Sequence, residues 1–218
     1  MAATSPTPPG PVGVIRVLTS ADPEFVATHG RVMEQEYGFA TVSRAIPDQP
    51  HGIHDEESER RAEPKIVALA EELVADGARA VVISCAADPA LEPVRRAVPV
   101  PVIGAGSAAA GVALGLGTRV GVIGITEGAP PAVRALLGER FVGAERPAGV
   151  RRTTDLLEPA GRGATVDSAR LLVDAGADVL LLACTGLTTI GIGAELRERF
   201  GVPVVDAVRA AGLLASSL

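Results

Sequence analysis

The chain has 218 residues, 47% of them hydrophobic and 21% charged, and a formal net charge of −6. That length supports one large globular domain or two lobes of about 100 residues each, while the acidic balance, with one Tyr and no Trp, excludes the basic, aromatic-studded face that nucleic acid requires. Apolar runs of five to seven residues, as in "VLLLAC" and "RVGVIGI", fall far short of a membrane span, so the expected partner is a small molecule, with neither nucleic acid nor membrane.

In chain order, the Pro-rich start "MAATSPTPPGP" (1–11) reads as a disordered leader without the basic and apolar regions of an export signal, which places the protein in the cytoplasm. "VGVIRVL" from Val12 is a continuous apolar strand. Asp22-Pro23 then offers an N-cap and an N1 proline, and Phe25, His29, Val32 and Met33 share one helical face. "FATVSRAI" is a second strand. The run "DQPHGIHDEESE", carrying His51 and His54, reads as a solvated acidic loop placed to act as a lid. "EPKIVALAEELVADG" is a helix with Pro64 near its start and Gly77 at its C-terminal end. "ARAVVISC" is a buried strand ending on Cys85, and "GAGSAAAGVALGLG" lacks phosphate-loop spacing and its Lys, so it reads as a tightly packed helix. The strand "GTRVGVIGIT", the helix "TVDSARLLVDAG", the strand "ADVLLLAC" ending on Cys184, and "VPVVDA" follow.

This second series repeats the first. "DGARAVVISCA" (76–86) aligns with "AGADVLLLACT" (175–185), "PVIGAG" from Pro101 with "PVVDAV" from Pro203, and "VGVIRVLT" from Val12 with "VGVIGIT" from Val120, in the same order along the chain. Three matched segments point to tandem duplication. Continuous Val/Ile/Leu strands joined through helices imply parallel sheets covered on both faces. The expected fold is therefore α/β, with two pseudosymmetric parallel-sheet lobes at 12–108 and 109–205, and a C-terminal helix (206–218) returning to the first lobe.

The chain holds only two cysteines, Cys85 and Cys184, ninety-nine positions apart and without a neighbouring His. That is neither a disulfide framework nor a metal site, so no metal is expected. Each cysteine ends an equivalent strand, and ligands of parallel sheets bind beyond the carboxyl ends of strands. Lobes facing across a pseudo-twofold axis would bring both thiols to one cleft. One thiolate could then remove a proton from a substrate carbon while the opposite thiol donates to the other face, which is inversion by two bases without a cofactor. Following helix N-termini are expected to lower the thiol pKa from about 8.5. Main-chain N–H groups after each sulfur, together with Thr185, are the expected donors to developing negative charge.

With these residues in place, the chain resembles the aspartate/glutamate/hydantoin racemase superfamily from Val12 to Leu213. The resemblance implies two α/β lobes, one catalytic cysteine in each (Cys85 and Cys184), no cofactor, and a homodimer or larger homo-oligomer. Amino-acid racemases of that family read Cys-Asn-Thr and Cys-Thr-His, where this chain has Cys85-Ala86-Ala87 and Cys184-Thr185-Gly186. "CAADPAL" and "CTGL" instead resemble the Cys-x-x-Asp-Pro-x-Leu and Cys-x-Gly-aliphatic runs of hydantoin and allantoin racemases. The resemblance implies a racemase or epimerase of a carbon acid such as a 5-substituted hydantoin or an amino acid of the aspartate/glutamate type, with the motifs leaning toward the hydantoin-like ring. The Asn-rich turn usual after the first strand of hydantoin racemases is Thr19-Ser20-Ala21-Asp22 here. Ala86, Ala87, Thr185 and Gly186 are the expected substrate-binding residues, with Thr126 and its repeat equivalent Thr19 at the first strand ends. Asp22 is expected to cap a helix, and His29 to be structural. The competing functions are a decarboxylase or cis-trans isomerase of the same superfamily using one cysteine asymmetrically, and an inert small-molecule-binding protein, which the apolar surroundings of the thiols would suit. A redox pair would close the cleft to substrate.

Overall fold

The computed structural model describes residues 10–218, so residues 1–9 of the expected leader lie outside it; Pro11 is already anchored, its carbonyl accepting from Arg79 N–H at 3.0 Å. The first half runs β1 (Val12–Arg16), α1 (Pro23–Tyr37), β2 (Thr41–Ala45), α2 (Glu56–Ala75), β3 (Ala80–Ser84), α3 (Leu91–Ala97), β4 (Val102–Gly104) and α4 (Ala105–Leu116). The second runs β5 (Val120–Ile123), α5 (Pro131–Leu137), β6 (Phe141–Glu145), α6 (Pro159–Asp174), β7 (Val179–Leu182), α7 (Gly186–Thr189), α8 (Gly193–Phe200), β8 (Val204–Asp206) and α9 (Ala207–Ala215). The strands form two four-stranded parallel sheets of matching order, β2-β1-β3-β4 and β6-β5-β7-β8. The expected two-lobed α/β fold is thus the observed one. Among the described residues, no helix is long and apolar enough to cross a membrane.

Strand alternation sorts each strand between two cores. Val12, Val14, Ala80 and Val82 of the first sheet share one cluster with Val120, Val122, Val179 and Leu181 of the second. Between them lie the alanine-rich helices α4 and α9, whose small side chains let helix and sheet backbones approach closely. α4, which follows the first sheet, packs on β7; α9, which follows the second, packs on α1, β3 and β4. The opposite parity, Val81 and Ile83 in β3 and Leu180 and Leu182 in β7, faces a separate core in each lobe.

Of the run expected as loop, residues 48–55 with His51 and His54 are non-helical as expected, but its acidic end is the start of α2, which begins at Glu56 rather than near Pro64. Asp55 accepts from Ser58 N–H at 2.7 Å and the Ser58 hydroxyl pairs back to the cap, closing a capping box that outweighs local polarity. Pro64 is tolerated inside the helix because it is exposed, so the Arg60 carbonyl left without a helical donor can be hydrated. Asp22 caps α1 by accepting from Glu24 N–H at 2.9 Å.

The loop after each sulfur is tied to the next helix by an exchanged pair of residues. Asp88, with φ 55°, accepts from Gly106 and Ser107 N–H at 2.7 Å each, capping α4 from a distance. Gly104 stands where α4 would otherwise cap itself, and a Cβ there would lie 2.5 Å from the Asp88 carboxyl carbon. In the second lobe the polarity is reversed: Asp206 caps its own helix through Val208 and Arg209 N–H, and Thr188 of the sulfur loop donates to Asp206 at 2.9 Å.

Candidate active site

Cys85 continues the parity of Val81 and Ile83, and Cys184 that of Leu180 and Leu182, so each sulfur leaves its sheet on the outer face just past the strand end. Both line one cavity of about 580 Å³ that lies between the lobes, a volume suited to a small ligand. Leu18, Ile53, Glu59 and Ser84 contribute from the first lobe, and Ile125, Pro130, Arg146, Arg151 and Thr153 from the second. Only 9% of Cys85 and 8% of Cys184 is exposed, so both thiols are largely shielded from solvent where they reach the cavity.

Burial dominates the electrostatics of the pair. It pushes the Cys184 thiol up to about 11, against the opposing pull of N–H groups of Gly186 and Leu187 and the Thr153 hydroxyl. It pushes Cys85 further still, opposed by Ala87 N–H and reinforced by the neighbouring charges of Cys184, Asp88 and Glu59. The expected lowering by helix N-termini is therefore reversed. The reason is local: α3 does not begin until Leu91, and α7 is a single turn of four residues, too little aligned backbone to offset desolvation.

The other expected contacts divide. Ala86, Ala87, Thr126, Thr185 and Gly186 line the cavity. The Thr185 hydroxyl, however, is committed across the lobe boundary, donating to the Ser84 carbonyl at 3.1 Å. Thr19 does not line the cavity: its hydroxyl donates to Ile46 O at 2.6 Å and accepts from Gln49 N–H at 2.8 Å, which holds the turn after β2. Of the two loop histidines, His54 lines the cavity and His51 is exposed. Gly186 suits a close approach, since a Cβ there would stand 2.9 Å from Thr153 Cγ2 and 3.0 Å from Leu156 Cδ1 and those side-chain ends would have to shift.

Thr153 carries no signal of its own in the sequence. It sits in the segment between β6 and α6, the repeat equivalent of the loop carrying His51 and His54, and the two loops meet: a Cβ on Gly52 would lie 2.9 Å from Thr153 Oγ1. Applying the duplication to the expected lid would have found it. Arg16 also escapes a reading of the sequence, hidden in an apolar strand. Its guanidinium is buried in the cavity wall, donates to Phe25 O at 2.8 Å and Val26 O at 3.1 Å, and has its pKa lowered by burial to about 10. Among the described residues, no group of three or more His, Cys, Asp or Glu side chains could hold a metal ion.

The sequence profile of the Asp/Glu/hydantoin racemase family matches residues 27–215. A hydantoin racemase of Rhizobium meliloti is 31% identical over 192 residues, which cover 84% of this chain and 78% of that one. Two solved structures share the fold: the allantoin racemase of Klebsiella pneumoniae, with TM-score 0.80, 22% identity and coverage of 96% of this chain and 87% of that one, and the allantoin racemase of Pseudomonas fluorescens, with TM-score 0.77, 22% identity and coverage of 95% and 89%.

Proposed function

Because this chain belongs to the Asp/Glu/hydantoin racemase family, and is by that membership a racemase and so an isomerase, we propose that it inverts the acidic carbon of a 5-substituted hydantoin or a closely related neutral ring, with Cys85 and Cys184 as opposed bases and no cofactor. The observation that carries this reading is the opening of both thiols, from equivalent strand ends of the two lobes, into one cavity.

The unequal thiols give the direction of the resting cycle. Cys184 is the less raised of the two, and its charge raises Cys85 further, so the site ionises to one thiolate and one thiol rather than to two thiolates. The Cys184 thiolate takes the ring C–H proton, the electron pair moves onto the adjacent carbonyl as an enolate, and the Cys85 thiol delivers its proton to the opposite face. Cys85 is left as thiolate and Cys184 as thiol, the arrangement that processes the other enantiomer. Main-chain N–H groups at Ala86, Ala87, Thr185 and Gly186, with the Thr126 hydroxyl, hold the ring and its developing charge.

The neutral ring is favoured over a free amino acid by the residues next to each sulfur. Ala86, Ala87 and Gly186 offer no polar side chain, and the Thr185 hydroxyl is already engaged by Ser84 O. Directly beside the sulfurs a carboxylate and ammonium would meet no free polar side chain, the charged residues of the cavity (Arg16, Glu59, Arg146, Arg151) standing elsewhere in its wall, whereas ring amides match main-chain donors and acceptors. The test is deuterium incorporation at the ring carbon in heavy water, expected for hydantoins and abolished in the Cys85→Ser, Cys184→Ser double variant. Undiminished exchange in that variant defeats the thiol assignment. Exchange with aspartate or glutamate but not with any hydantoin defeats the substrate assignment.

A further inference from the structure

His29 on α1 takes no part in these proton transfers, yet it is 1% exposed and both ring nitrogens are engaged. Nδ1 lies 2.7 Å from Ser84 Oγ, and Nε2 lies 3.0 Å from Thr189 Oγ1. The two hydroxyls belong to opposite lobes. Ser84 immediately precedes Cys85, and Thr189 closes α7, the turn after Cys184 and Thr185. A second bond joins the same segments, from the Thr185 hydroxyl to the Ser84 carbonyl at 3.1 Å.

Packing alone does not call for an imidazole here. Burying one costs several kcal/mol unless its nitrogens are satisfied, and a leucine would occupy similar space without that demand. Burial, with the Arg16 charge nearby, holds the ring pKa well below its usual value. The neutral ring then has one donor and one acceptor nitrogen, and hydroxyls at both ends can complement either tautomer. The result is a strut whose two ends grip the residues beside the two sulfurs.

We propose that His29 is a positioning residue that bridges the lobe boundary and fixes the Ser84–Cys85 segment against the Thr185–Thr189 segment, so setting where the two thiols stand relative to one another. Its catalytic consequence rests on the two-thiol reading of the site, because proton transfer from opposite faces of one carbon is sensitive to displacements of about 1 Å.

The test compares wild type with His29→Leu, His29→Gln and Thr189→Val by amide hydrogen exchange and by kinetics. In His29→Leu, exchange is expected to rise about five- to tenfold, the loss of roughly one hydrogen bond, in peptides spanning 81–89 and 183–191 alike. Thr189→Val, which cuts the strut at its second-lobe end, is expected to loosen 81–89 in the first lobe. Both variants should lose about tenfold or more in kcat with KM within about threefold, and His29→Gln, which can keep one of the two bonds, should recover part of it. Increased exchange confined to α1, or unchanged kcat in folded His29→Leu, overturns the proposal. If His29→Leu does not fold, Thr189→Val decides by the same two readouts. Absence of substrate turnover by the wild type defeats the functional reading alone, and the exchange pattern still decides the strut.

Discussion

Thr153→Val tests the hydroxyl that opposes the upward shift of the Cys184 thiol. Valine keeps the methyl that packs on Gly186 and the shape that fills the space beside Leu156, and removes only the hydroxyl that holds the Cys184 pKa down. A hydrogen bond to a charged group contributes about 1.5–3 kcal/mol, so the Cys184 thiolate should become roughly 10- to 100-fold scarcer at any pH below its pKa. Alkylation of Cys184 by iodoacetamide, followed residue by residue by mass spectrometry, should fall with the thiolate population, and deuterium exchange into substrate should fall by a smaller factor because the scarcer thiolate is also the stronger base. Cys85 alkylation should change little, since Ala87 N–H rather than Thr153 faces that sulfur. Thr153→Ser should restore both rates. The reasoning is refuted if Thr153→Val alkylates at Cys184 within twofold of wild type while remaining folded.

Gly186→Ala places a Cβ within 3.0 Å of Thr153 and Leu156, so overpacking should cost about 1–3 kcal/mol, read as a lower urea midpoint with unchanged slope. Asp88→Ala strips the acceptor from Gly106 and Ser107 N–H, for a loss of about 1–3 kcal/mol; Asp88→Asn, which retains an acceptor oxygen and tolerates φ 55°, should lose less in thermal unfolding. Alkaline pH should destabilise the protein through its thiols. The folded Cys184 pKa, about 11, lies above the ordinary value of 9.0, and Cys85 is raised in the same direction. The folded state therefore holds these protons longer than the unfolded chain does. That contribution is intact below pH 9 and is lost as pH climbs toward 11, by up to about 1.4 kcal/mol per pH unit for each thiol. Urea titrations at pH 8 and 10.5 should show a smaller drop in the Cys85→Ser, Cys184→Ser variant, and an equal drop refutes the assignment.

The sequence shows its duplication because strand cores repeat as text: "VVISC" and "VLLLAC" encode the same parity, which puts both sulfurs on the outer faces of equivalent strands. Contacts made between the repeats are not written that way. Asp88 and Gly104 in one lobe do the work of Thr188 and Asp206 in the other, so the residues differ where the structural role is shared, and alignment passes over them. His29 reads as one more member of an apolar helix face, because its partners Ser84 and Thr189 lie 55 and 160 residues away. The solvated look of "HDEESE" misleads for a different reason: charge reports exposure, whereas Asp55 and Ser58 together report a helix start.

Burial of the thiols looks at first like an obstacle to catalysis, because at pH 8 a thiol with a pKa near 11 is ionised only about one part in a thousand. For proton removal from carbon the same burial also works the other way. A thiolate that binds its proton more tightly is the stronger base, and its greater driving force offsets part of its scarcity in the transfer step. Burial also keeps the two sulfurs coupled: the charge on Cys184 raises Cys85, and greater solvation would screen that effect and permit two thiolates, a state with no proton to donate. On the two-thiol reading, the apolar residues beside the sulfurs, Ala86, Ala87 and Gly186, favour this coupling, which polar ones would weaken. Those apolar residues disfavour the doubly ionised pair, and under the proposed two-base reading the substrate reacts with the minor form in which one sulfur is thiolate and the other thiol, a base on one face and an acid on the other.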